Sequence, residues 1–329
     1  MIQFFGTRDH IDTVNQFADS WAPELKPLIR TLAYENISFR QSLPGGICIF
    51  TDFERLLPAE MSLARRLAAA VRSFPEKYTV LNEPGRYIGR FRLLEVLHER
   101  GINEFRAHRV DSLPGDLKFP VFLRSELDHD GPATPLLHSS DELKQALARD
   151  EFQHPSTRKH LMVTEFCDCV EADGGFRKYS VMNIGGTLVP RHVFFNRNWV
   201  VKLPPADFVD AAAFREEVNF MTNFPHAAQA LEIFRLAGVD YGRMDYSLRN
   251  GRIQVWEINT NPTVVPRQEK IHSLRLAHQA ESARCIASIL QTLATRRDHR
   301  PAFPFRSAKM LPAKMLQLFS RRTHRQHRK

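Results

Sequence analysis

Residues 238–262 read GVDYGRMDYSLRNGRIQVWEINTNP, and this stretch carries the strongest structural signal in the chain. Two segments that read as strands, 241–248 and 252–258, stand on either side of Asn250-Gly251. An Asn-Gly pair between two such segments is typical of a tight β-hairpin. The stretch therefore predicts two neighbouring antiparallel strands.

Polar side chains lie at positions of this hairpin that share a face. Side chains alternate along a strand, so Glu257 and Asn259 point the same way, and Arg243 shares the face of Asp245. Carboxylate and amide oxygens suit Mg²⁺, which takes one or two carboxylates together with phosphate oxygens. The pattern favours a metal site over an ordinary polar-edged hairpin, with Arg243 as a charge partner for a metal-bound phosphate.

The pairing register of the two strands tests this interpretation. Asp245 and Glu257 share a face only if the two residue numbers of each cross-strand pair near them add to an even sum. A two-residue loop would pair Arg249 with Arg252 and place the two carboxylates on opposite faces. We therefore expect a three-residue loop or a β-bulge, with Gly251 at positive φ, and a plain two-residue hairpin would contradict the metal site.

Composition limits the classes of protein to which the chain can belong. It has 329 residues, of which 43% are hydrophobic and 25% charged, as expected of a folded protein of two or three domains. Its 4 cysteines are too few and too scattered for a disulfide framework. No apolar run approaches the roughly 20 residues of a membrane span, and the N-terminus lacks a signal pattern. We expect a cytoplasmic protein.

The net charge of +9 lies almost wholly in the C-terminal region. Residues 295–329 carry 11 Lys and Arg and one Asp, and the rest of the chain is close to neutral. One interpretation is a solvated, poorly ordered terminus. The other is an electrostatic handle for an anionic membrane surface, a nucleic acid or an acidic partner.

Hydrophobic periodicity predicts two kinds of organisation along the chain. Alternating strands and helices at 46–51, 58–74, 78–81 and 86–100 indicate a parallel α/β layer. A mixed order follows and favours an α+β arrangement, with strands at 119–124, 161–164, 179–184 and 187–195 and helices at 140–149, 210–223, 225–237 and 271–293. The first 45 residues give no clear pattern.

The hairpin resembles the ATP-grasp superfamily, which includes D-alanine–D-alanine ligase, glutathione synthetase and the ribosomal-protein glutamate ligases. The family pattern is Arg-x-Asp, a hairpin, and Glu-x-Asn with Pro close behind, and it is met here by Arg243 to Asp245 and Glu257 to Pro262. The resemblance implies that Asp245, Glu257 and Asn259 bind one or two Mg²⁺ ions on ATP.

The same resemblance implies the domain organisation. Two α+β lobes clasp ATP in residues 86–295, of which 118–165 form the small nucleotide-clamping lobe. A small α/β domain precedes them in residues 1–85. Residues 296–329 form the basic, flexible tail.

The family's two phosphate-binding lysines fall on arginines in this chain. They correspond by resemblance to Arg90, in the helix closed by Gly101, and to Arg124, at the end of strand 119–124. Arginine keeps the charge but is larger and forked, so the exchange is not conservative. The phosphate-covering loop corresponds to residues 125–131, which hold one glycine and several acids. His129 in this loop is either a phosphate contact or an ordinary loop side chain.

The family's adenine-binding hinge corresponds to Glu165, Phe166 and Cys167. The resemblance implies that backbone groups after Glu165 read the adenine edge and that Phe166 lines an apolar slot. Asp173 is a candidate for the ribose, and Arg177 stands where peptide-forming members place an arginine. Two further soft ligands near the Cys-x-Cys are lacking in the sequence, so inert thiols are favoured over a metal site.

Basic side chains on or next to the predicted strands 179–184 and 187–195 suit an anionic substrate or the γ-phosphate. They are Arg177, Lys178, Arg191 and His192, and Lys202 is a further γ-phosphate candidate. No single role is assignable to each of them from the sequence.

The resemblance implies a ligase that uses Mg-ATP to join a carboxylate to an amine or a thiol through an acylphosphate. Arg243, Arg124 and Lys202 are the candidates for neutralising the transferred phosphoryl group. The carboxylate belongs to a small molecule or a peptide that the sequence does not identify. The alternative is a non-catalytic nucleotide-binding or scaffold protein, favoured by the two arginines and the glycine-poor loop.

Overall fold

The computed structural model describes residues 1–37, 42–127, 129–202, 210–295 and 303–304.

The N-terminal unit is a parallel α/β layer. The elements of this unit are β1 (Ile2–Gly6), α1 (Thr13–Trp21), β2 (Ile29–Ala33), β3 (Ser42–Leu43), β4 (Gly46–Phe50), α2 (Pro58–Arg72) and β5 (Tyr78–Leu81). Its main sheet has the order β2-β1-β4-β5, and every pair in it is parallel. The carboxyl ends of the strands therefore meet at one edge.

The residues of this unit explain why it folds as a covered sheet. All five residues of β1 and of β4 are buried, as in a parallel strand with both faces covered. Pro58 opens α2, where its missing N–H costs nothing. The apolar residues of α2 recur every three or four positions and pack on the sheet: Leu63, Ala64, Leu67, Ala68 and Val71.

A small three-stranded lobe follows the first domain. Its elements are α3 (Gly89–Glu99), β6 (Ala107–Arg109), β7 (Val121–Ser125), α4 (Ser140–Leu147), α5 (Asp150–Gln153), α6 (Pro155–Arg158) and β8 (Leu161–Glu165). The sheet has the order β6-β8-β7 and is antiparallel. The Ser139 hydroxyl accepts a hydrogen bond from the Glu142 amide and begins α4.

A large antiparallel sheet forms the remaining part. Its elements are β9 (Phe176–Ile184), β10 (Thr187–Asn196), α7 (Ala211–Asn223), α8 (Ala227–Ala237), β11 (Tyr241–Arg249), β12 (Arg252–Asn259) and α9 (Leu276–Thr295). The sheet has the order β10-β9-β11-β12. Helices α3, α7 and α8 cover one face, called the back face here. A short strand, β13 (Phe303–Pro304), pairs with β3 of the first domain.

Most predicted elements beyond residue 45 are present with small shifts at their ends. The predicted helix 271–293 begins later, at Leu276, because short 3₁₀ turns at Gln268–Lys270 and Ser273–Arg275 precede it. The first 45 residues form β1, α1 and β2, which the sequence pattern did not reveal. The predicted tail, residues 296–329, lies outside the described residues apart from β13. Within the described ranges, no helix is both long and apolar enough to cross a membrane.

Candidate functional site

The hairpin of β11 and β12 contains both a two-residue turn and a bulge. Asn250 (φ 50°) and Gly251 (φ 73°) form the turn, and Arg249 pairs with Arg252 across it. The register then shifts, because Trp256 is an extra residue on β12. The prediction of a bulge with Gly251 at positive φ is confirmed.

The bulge places four side chains in one row across the large sheet. Asp245 pairs with Glu257, Ser180 pairs with Asp245, and His192 pairs with Ser180. Residues that face each other in antiparallel strands project from the same face. Because the three pairings are consecutive, the row runs His192–Ser180–Asp245–Glu257 on the front face, opposite α7 and α8.

Three basic side chains, from α3, from β7 and from the loop after β7, converge on the Glu257 end of this row. The Glu257 Oε2 atom lies 2.9 Å from Arg90 Nη2 and 2.8 Å from Arg124 Nη2. His129 Nδ1 lies 3.4 Å from Glu257 Oε1. Burial alone would raise the pKa of Glu257, but Arg90, His129 and Arg124 hold it well below its usual range. Four residues singled out in the sequence are thus brought together.

Asp245 lies in the middle of the row and is held by its own strand and the next. Arg243 donates to Asp245 Oδ1 over 2.9 Å, and the Ser180 hydroxyl donates to the same oxygen over 2.6 Å. Lys178 Nζ lies 3.9 Å from Asp245 Oδ2. Asn259 pairs with Arg243 two residues further along the strands, and its Oδ1 accepts a hydrogen bond from the Asn261 amide.

The donor set of Asp245, Glu257 and Asn259 fits Mg²⁺. All three offer hard oxygens on the front face, and Asp245 and Asn259 are buried, at 3% and 8% exposure. In the described part of the chain, no group of three His, Cys, Asp or Glu side chains forms a closed metal cage. Mg²⁺ brought by a nucleotide needs no such cage, because phosphate oxygens and waters complete its shell.

Lys202 lies close to the loop that carries His129. A Cβ placed on Gly131 would lie 3.6 Å from Lys202 Cε. Lys202 itself is exposed. The structure therefore brings this cation to the predicted phosphate-covering loop, of which Asp128 lies outside the described residues.

The side chains of the predicted hinge residues have different surroundings: those of Glu165 and Cys167 are buried, whereas that of Phe166 lines a cleft. Glu165 is 2% exposed, and its carboxylate accepts hydrogen bonds from Arg106 and from the Lys118 amide. Burial alone would raise the pKa of Glu165, but these contacts outweigh it and bring the pKa below its usual range. The Glu165 carboxylate is therefore occupied by contacts within the protein, and the Phe166 amide donates to the Pro120 carbonyl. Cys167 is buried beside Cys169, with 3.8 Å between the sulfur atoms.

Phe166 lines a cavity of about 650 Å³ beside the hinge. Phe176 and Asn196 line it from the first residue of β9 and the last of β10, and Trp199 packs against Phe166 within it. Phe176 pairs with Asn196, an even number of residues before Ser180 on the same strand, so both belong to the front face. Its aromatic lining offers flat apolar surface in a wide, open cleft.

Asp173 and Arg177 are not brought to the row. Both Arg177 nitrogens Nη1 and Nη2 donate to Asp173 over 2.6 Å, and Arg177 also pairs with Glu216 of α7. Arg177 lies an odd number of residues from Ser180 on β9, and its guanidinium lies over the ring of Phe195 on the back face. A nucleotide role for these two residues stays a prediction.

Several residues at the site carried no usable signal in the sequence. Nothing in the sequence singled out Ser180 as a site residue. The available signal was its position two residues after Lys178, which places both side chains on one face of the strand. Trp199 gave no signal because its aromatic partners, Phe122 and Phe166, come from distant segments. Arg275 and Glu217 form a buried ion pair between α7 and the turn before α9, which spacing along the chain does not reveal.

The first domain is tied to the segment that follows Asn259. Glu54, which is 3% exposed, accepts hydrogen bonds from the Thr260 amide and hydroxyl over 2.7 and 2.8 Å. Asn261 accepts from Thr13 and donates to the His10 carbonyl. The edge of the parallel sheet therefore borders the same end of the front face as Asn259.

Comparison with known proteins identifies the fold. No family model and no curated protein matches the sequence. The ATP-grasp ligase PsnB, solved with its minimal precursor, Mg and ADP, matches 89% of this chain and 97% of its own, at 10% identity and a TM-score of 0.50. D-alanine–D-alanine ligase from Bacillus anthracis, complexed with ATP, matches 89% of this chain and 96% of its own at 14% identity, with a TM-score of 0.49.

A RimK domain ATP-grasp protein from Sphaerobacter thermophilus has the same TM-score of 0.49 and covers 87% of this chain and 98% of its own at 14% identity. The assignment rests on PsnB, which has the higher score. This chain has the ATP-grasp fold, as the sequence resemblance implied. At these identities the likeness concerns the fold, and the activity is argued from the site.

Proposed function

We propose that this chain is a ligase that uses Mg-ATP to join a carboxylate to an amine or a thiol. The observation that carries the proposal is the direct pairing of Asp245 with Glu257. The Glu257 carboxylate is also contacted by three basic side chains, those of Arg90, Arg124 and His129. Carboxylates that suit a metal ion therefore lie beside basic side chains that suit phosphate groups.

The proposed reaction needs no nucleophilic side chain. An oxygen of the substrate carboxylate bonds to the γ-phosphorus of ATP, the bond from that phosphorus to the bridging oxygen breaks, and ADP leaves. The amine or thiol then attacks the acyl carbon, loses a proton, and inorganic phosphate leaves. Both steps demand neutralisation of negative charge around phosphorus, which positioned cations supply.

Each residue of the site has a role in this proposal. Arg90, Arg124 and His129 bind phosphate oxygens from the small-lobe side, and Lys202 does so from the neighbouring loop. Arg243 orients Asp245 and offers its remaining N–H groups to the reacting oxygens. Asp245, Glu257 and Asn259 hold Mg²⁺, which supplies charge neutralisation to the phosphates. Phe166 and Trp199 line the apolar slot for the base beside the hinge.

Hydroxylamine tests the proposal without knowledge of the natural nucleophile. The full chain is incubated with Mg-ATP, a panel of carboxylic acids and hydroxylamine, and both ADP and the hydroxamate are measured. We expect acid-dependent release of ADP with an equal amount of hydroxamate. Asp245→Asn should reduce the rate by roughly 100-fold or more.

Asp111→Asn is the matched control, because Asp111 is an exposed acid that is paired with an arginine, Arg158 of α6, and has no role in the proposal. It should leave the rate within about twofold. ATP binding without hydroxamate from any acid would contradict the ligase proposal.

One observation favours the alternative of a non-catalytic nucleotide-binding protein. Arg90 and Arg124 already neutralise Glu257, at 2.9 and 2.8 Å, so this carboxylate is stable without a metal ion. Such a protein would bind ATP with an affinity independent of Mg²⁺ and would form no hydroxamate. Thermal shifts with ATP, with and without Mg²⁺, separate the two functions.

A further inference from the structure

The proposed reaction releases one proton for which the site described above holds no acceptor. When an amine attacks the acyl carbon, its nitrogen loses a proton, and a positioned base speeds such a step. The arginines and Lys202 proposed for the phosphates are hydrogen-bond donors only. His129 faces Glu257, and the carboxylates of the row are assigned to Mg²⁺. The base is therefore to be sought in another part of the molecule.

The in-line geometry of phosphoryl transfer places the acid and the amine on the side of the row that faces the first domain. The proposed base slot lies at Phe176, the first residue of β9, whereas Asn259 lies beyond the row towards the other end of the sheet. The attacking and leaving oxygens are roughly in line at the transferred phosphorus, so the acid lies on the far side from ADP. The first domain borders that side, where the rings of Phe4 and Tyr241 have centroids 5.3 Å apart.

The parallel sheet of the first domain has a crevice at its carboxyl edge. Strands β1 and β4 are neighbours, but the chain leaves β1 for β2 on one side and leaves β4 for β5 on the other. Helices α1 and α2 accordingly pack on opposite faces of the sheet. Open parallel sheets bind ligands outside the carboxyl ends of two such strands. Thr7 follows β1 and Asp52 follows β4, so these two residues border the crevice.

Asp52, Thr7 and His10 form a hydrogen-bonded chain at this crevice. Asp52 is fully buried, and its Oδ2 accepts from the Thr7 amide over 2.9 Å and from the Thr7 hydroxyl. Arg55 Nη1 donates to Asp52 Oδ1, also over 2.9 Å. His10 Nδ1 lies 3.1 Å from Thr7 Oγ1. A buried carboxylate is thus linked through one hydroxyl to an imidazole.

This chain sets the tautomer of His10. A hydroxyl has one proton, and that of Thr7 is donated to Asp52, so Thr7 Oγ1 accepts from His10. Nδ1 of the neutral imidazole therefore carries the proton, and the lone pair is on Nε2. The His10 side chain is 43% exposed, so a substrate can reach this ring.

The backbone of His10 is tied to the metal end of the large sheet. The His10 carbonyl accepts from Asn261 Nδ2 over 2.9 Å, and the Asn261 amide donates to Asn259 Oδ1 over 2.8 Å. Two hydrogen bonds through a single residue therefore connect His10 with a proposed ligand of Mg²⁺. The imidazole belongs to the part of the first domain that borders the reacting end of the row.

We propose that His10 is the general base that takes the proton of the amine, with Thr7 and Asp52 as positioning residues. This inference rests on the proposed ligase function. The amine nitrogen bonds to the acyl carbon while a proton passes from that nitrogen to His10 Nε2. The bond between the acyl carbon and the phosphate oxygen breaks, and inorganic phosphate leaves. The exposed imidazolium then returns its proton to water.

The test separates the two chemical steps, because only the second one releases a proton from the nucleophile. Rapid quenching of the full chain with Mg-ATP and an acid from the panel measures ADP in the first turnover, and added hydroxylamine then measures the hydroxamate. We expect His10→Ala to form its first ADP within about twofold of the wild-type rate and to form hydroxamate roughly 100-fold more slowly. Added 2-methylimidazole, a base hindered in its attack on carbon, should speed hydroxamate formation by at least roughly tenfold in His10→Ala and leave the wild type unchanged.

Two further variants test the positioning role and serve as the control. Thr7→Val should slow hydroxamate formation by roughly tenfold, and Thr7→Ser should restore it, because serine keeps the hydroxyl that accepts from Nδ1. His138→Gln, at an exposed histidine between β7 and α4, is the control and should match the wild type in both steps. Urea unfolding of each variant, with a midpoint near that of the wild type, shows that the variants are folded.

Three results would overturn the inference. Hydroxamate formation by His10→Ala at the wild-type rate would do so while leaving the ligase function intact. An equal loss of rate in both steps, without rescue by 2-methylimidazole, would show that His10 binds the acid or the phosphate and does not act as the base. Lack of ADP from the wild type with every acid would remove the ligase function and the inference with it.

Discussion

Glu257 and Arg124 lie 2.8 Å apart, and this contact joins the large sheet to the small lobe across the cleft. Both side chains are largely buried, at 13% and 7% exposure, and Arg90 binds the same oxygen. The carboxylate proposed to hold a metal ion is therefore also a counter-charge for two buried guanidinium groups.

This arrangement predicts that Glu257→Gln destabilises the free protein. The change removes a negative partner that Arg90 and Arg124 share in a buried position, and breaking a buried ion pair in this way costs about 3–5 kcal/mol. Urea unfolding in the absence of nucleotide measures the loss. Glu99→Gln is the control, because Glu99 pairs with Arg92 at the surface and should cost less than about 1 kcal/mol. Equal effects of both changes would contradict the role of Glu257 as a counter-charge.

Thr260→Val tests the link between the first domain and the site. The Thr260 hydroxyl donates to Glu54 and accepts from the Phe53 amide, and all three groups are buried. Removing the hydroxyl leaves these partners unsatisfied, at a cost of about 1–3 kcal/mol in the free energy of unfolding. Thr292→Val, in an exposed part of α9, should change it by about 0.5 kcal/mol or less. A Thr260→Val midpoint equal to that of the wild type would show that the link is unimportant.

The buried pair of Glu217 with Arg275 predicts a pH dependence of stability. Burial raises the pKa of Glu217, but His278 and Arg275 lower it to a net value below the usual range. A carboxyl with a depressed folded pKa contributes stability above its unfolded pKa, about 4.3, and loses it as the pH falls through the folded value. Glu217→Gln should therefore lower the free energy of unfolding by about 3 kcal/mol at pH 7.

The difference in free energy of unfolding between the wild type and Glu217→Gln should narrow below about pH 4, where the Glu217 carboxylate of the wild type becomes protonated. Urea unfolding at a series of pH values measures this difference. A difference that widens as the pH falls below about 4 would contradict a lowered pKa for Glu217.

Sequence reasoning predicted the hairpin in detail because parity is a strict rule. Two carboxylates on one face, with a two-residue turn between their strands, require one extra residue, and Trp256 is that residue. Strand β1 was missed because its five residues are all buried, which removes the alternation that marks a half-exposed strand.

The faces of β9 could not be assigned from the sequence alone. Parity places Lys178 and Arg177 on opposite faces, but only the pairing of Ser180 with Asp245 shows which face carries the site. The ion pair of Arg275 with Glu217 could not be predicted from the sequence for a related reason. Their contact depends on how α7 and α9 pack against β10, which no local pattern encodes.

Deleting Trp256 separates the bulge from the pairing of the two carboxylates. Without the extra residue, Tyr246 still pairs with Val255, and the next pair of a regular ladder is Asp245 with Glu257. The deletion therefore keeps both carboxylates on the front face and removes only the bulge and the indole.

Trp256→Ala is the matched variant, because it also loses the stacking of the indole on Phe105 but keeps the bulge. Both variants should be less stable than the wild type. We expect the thermal shift with Mg-ATP to persist in both variants, at roughly 2–4 °C near saturation, because both keep Asp245 paired with Glu257. Loss of the shift in a folded deletion variant, with the shift retained in Trp256→Ala, would mean that nucleotide binding needs the bulge itself and not only the paired carboxylates.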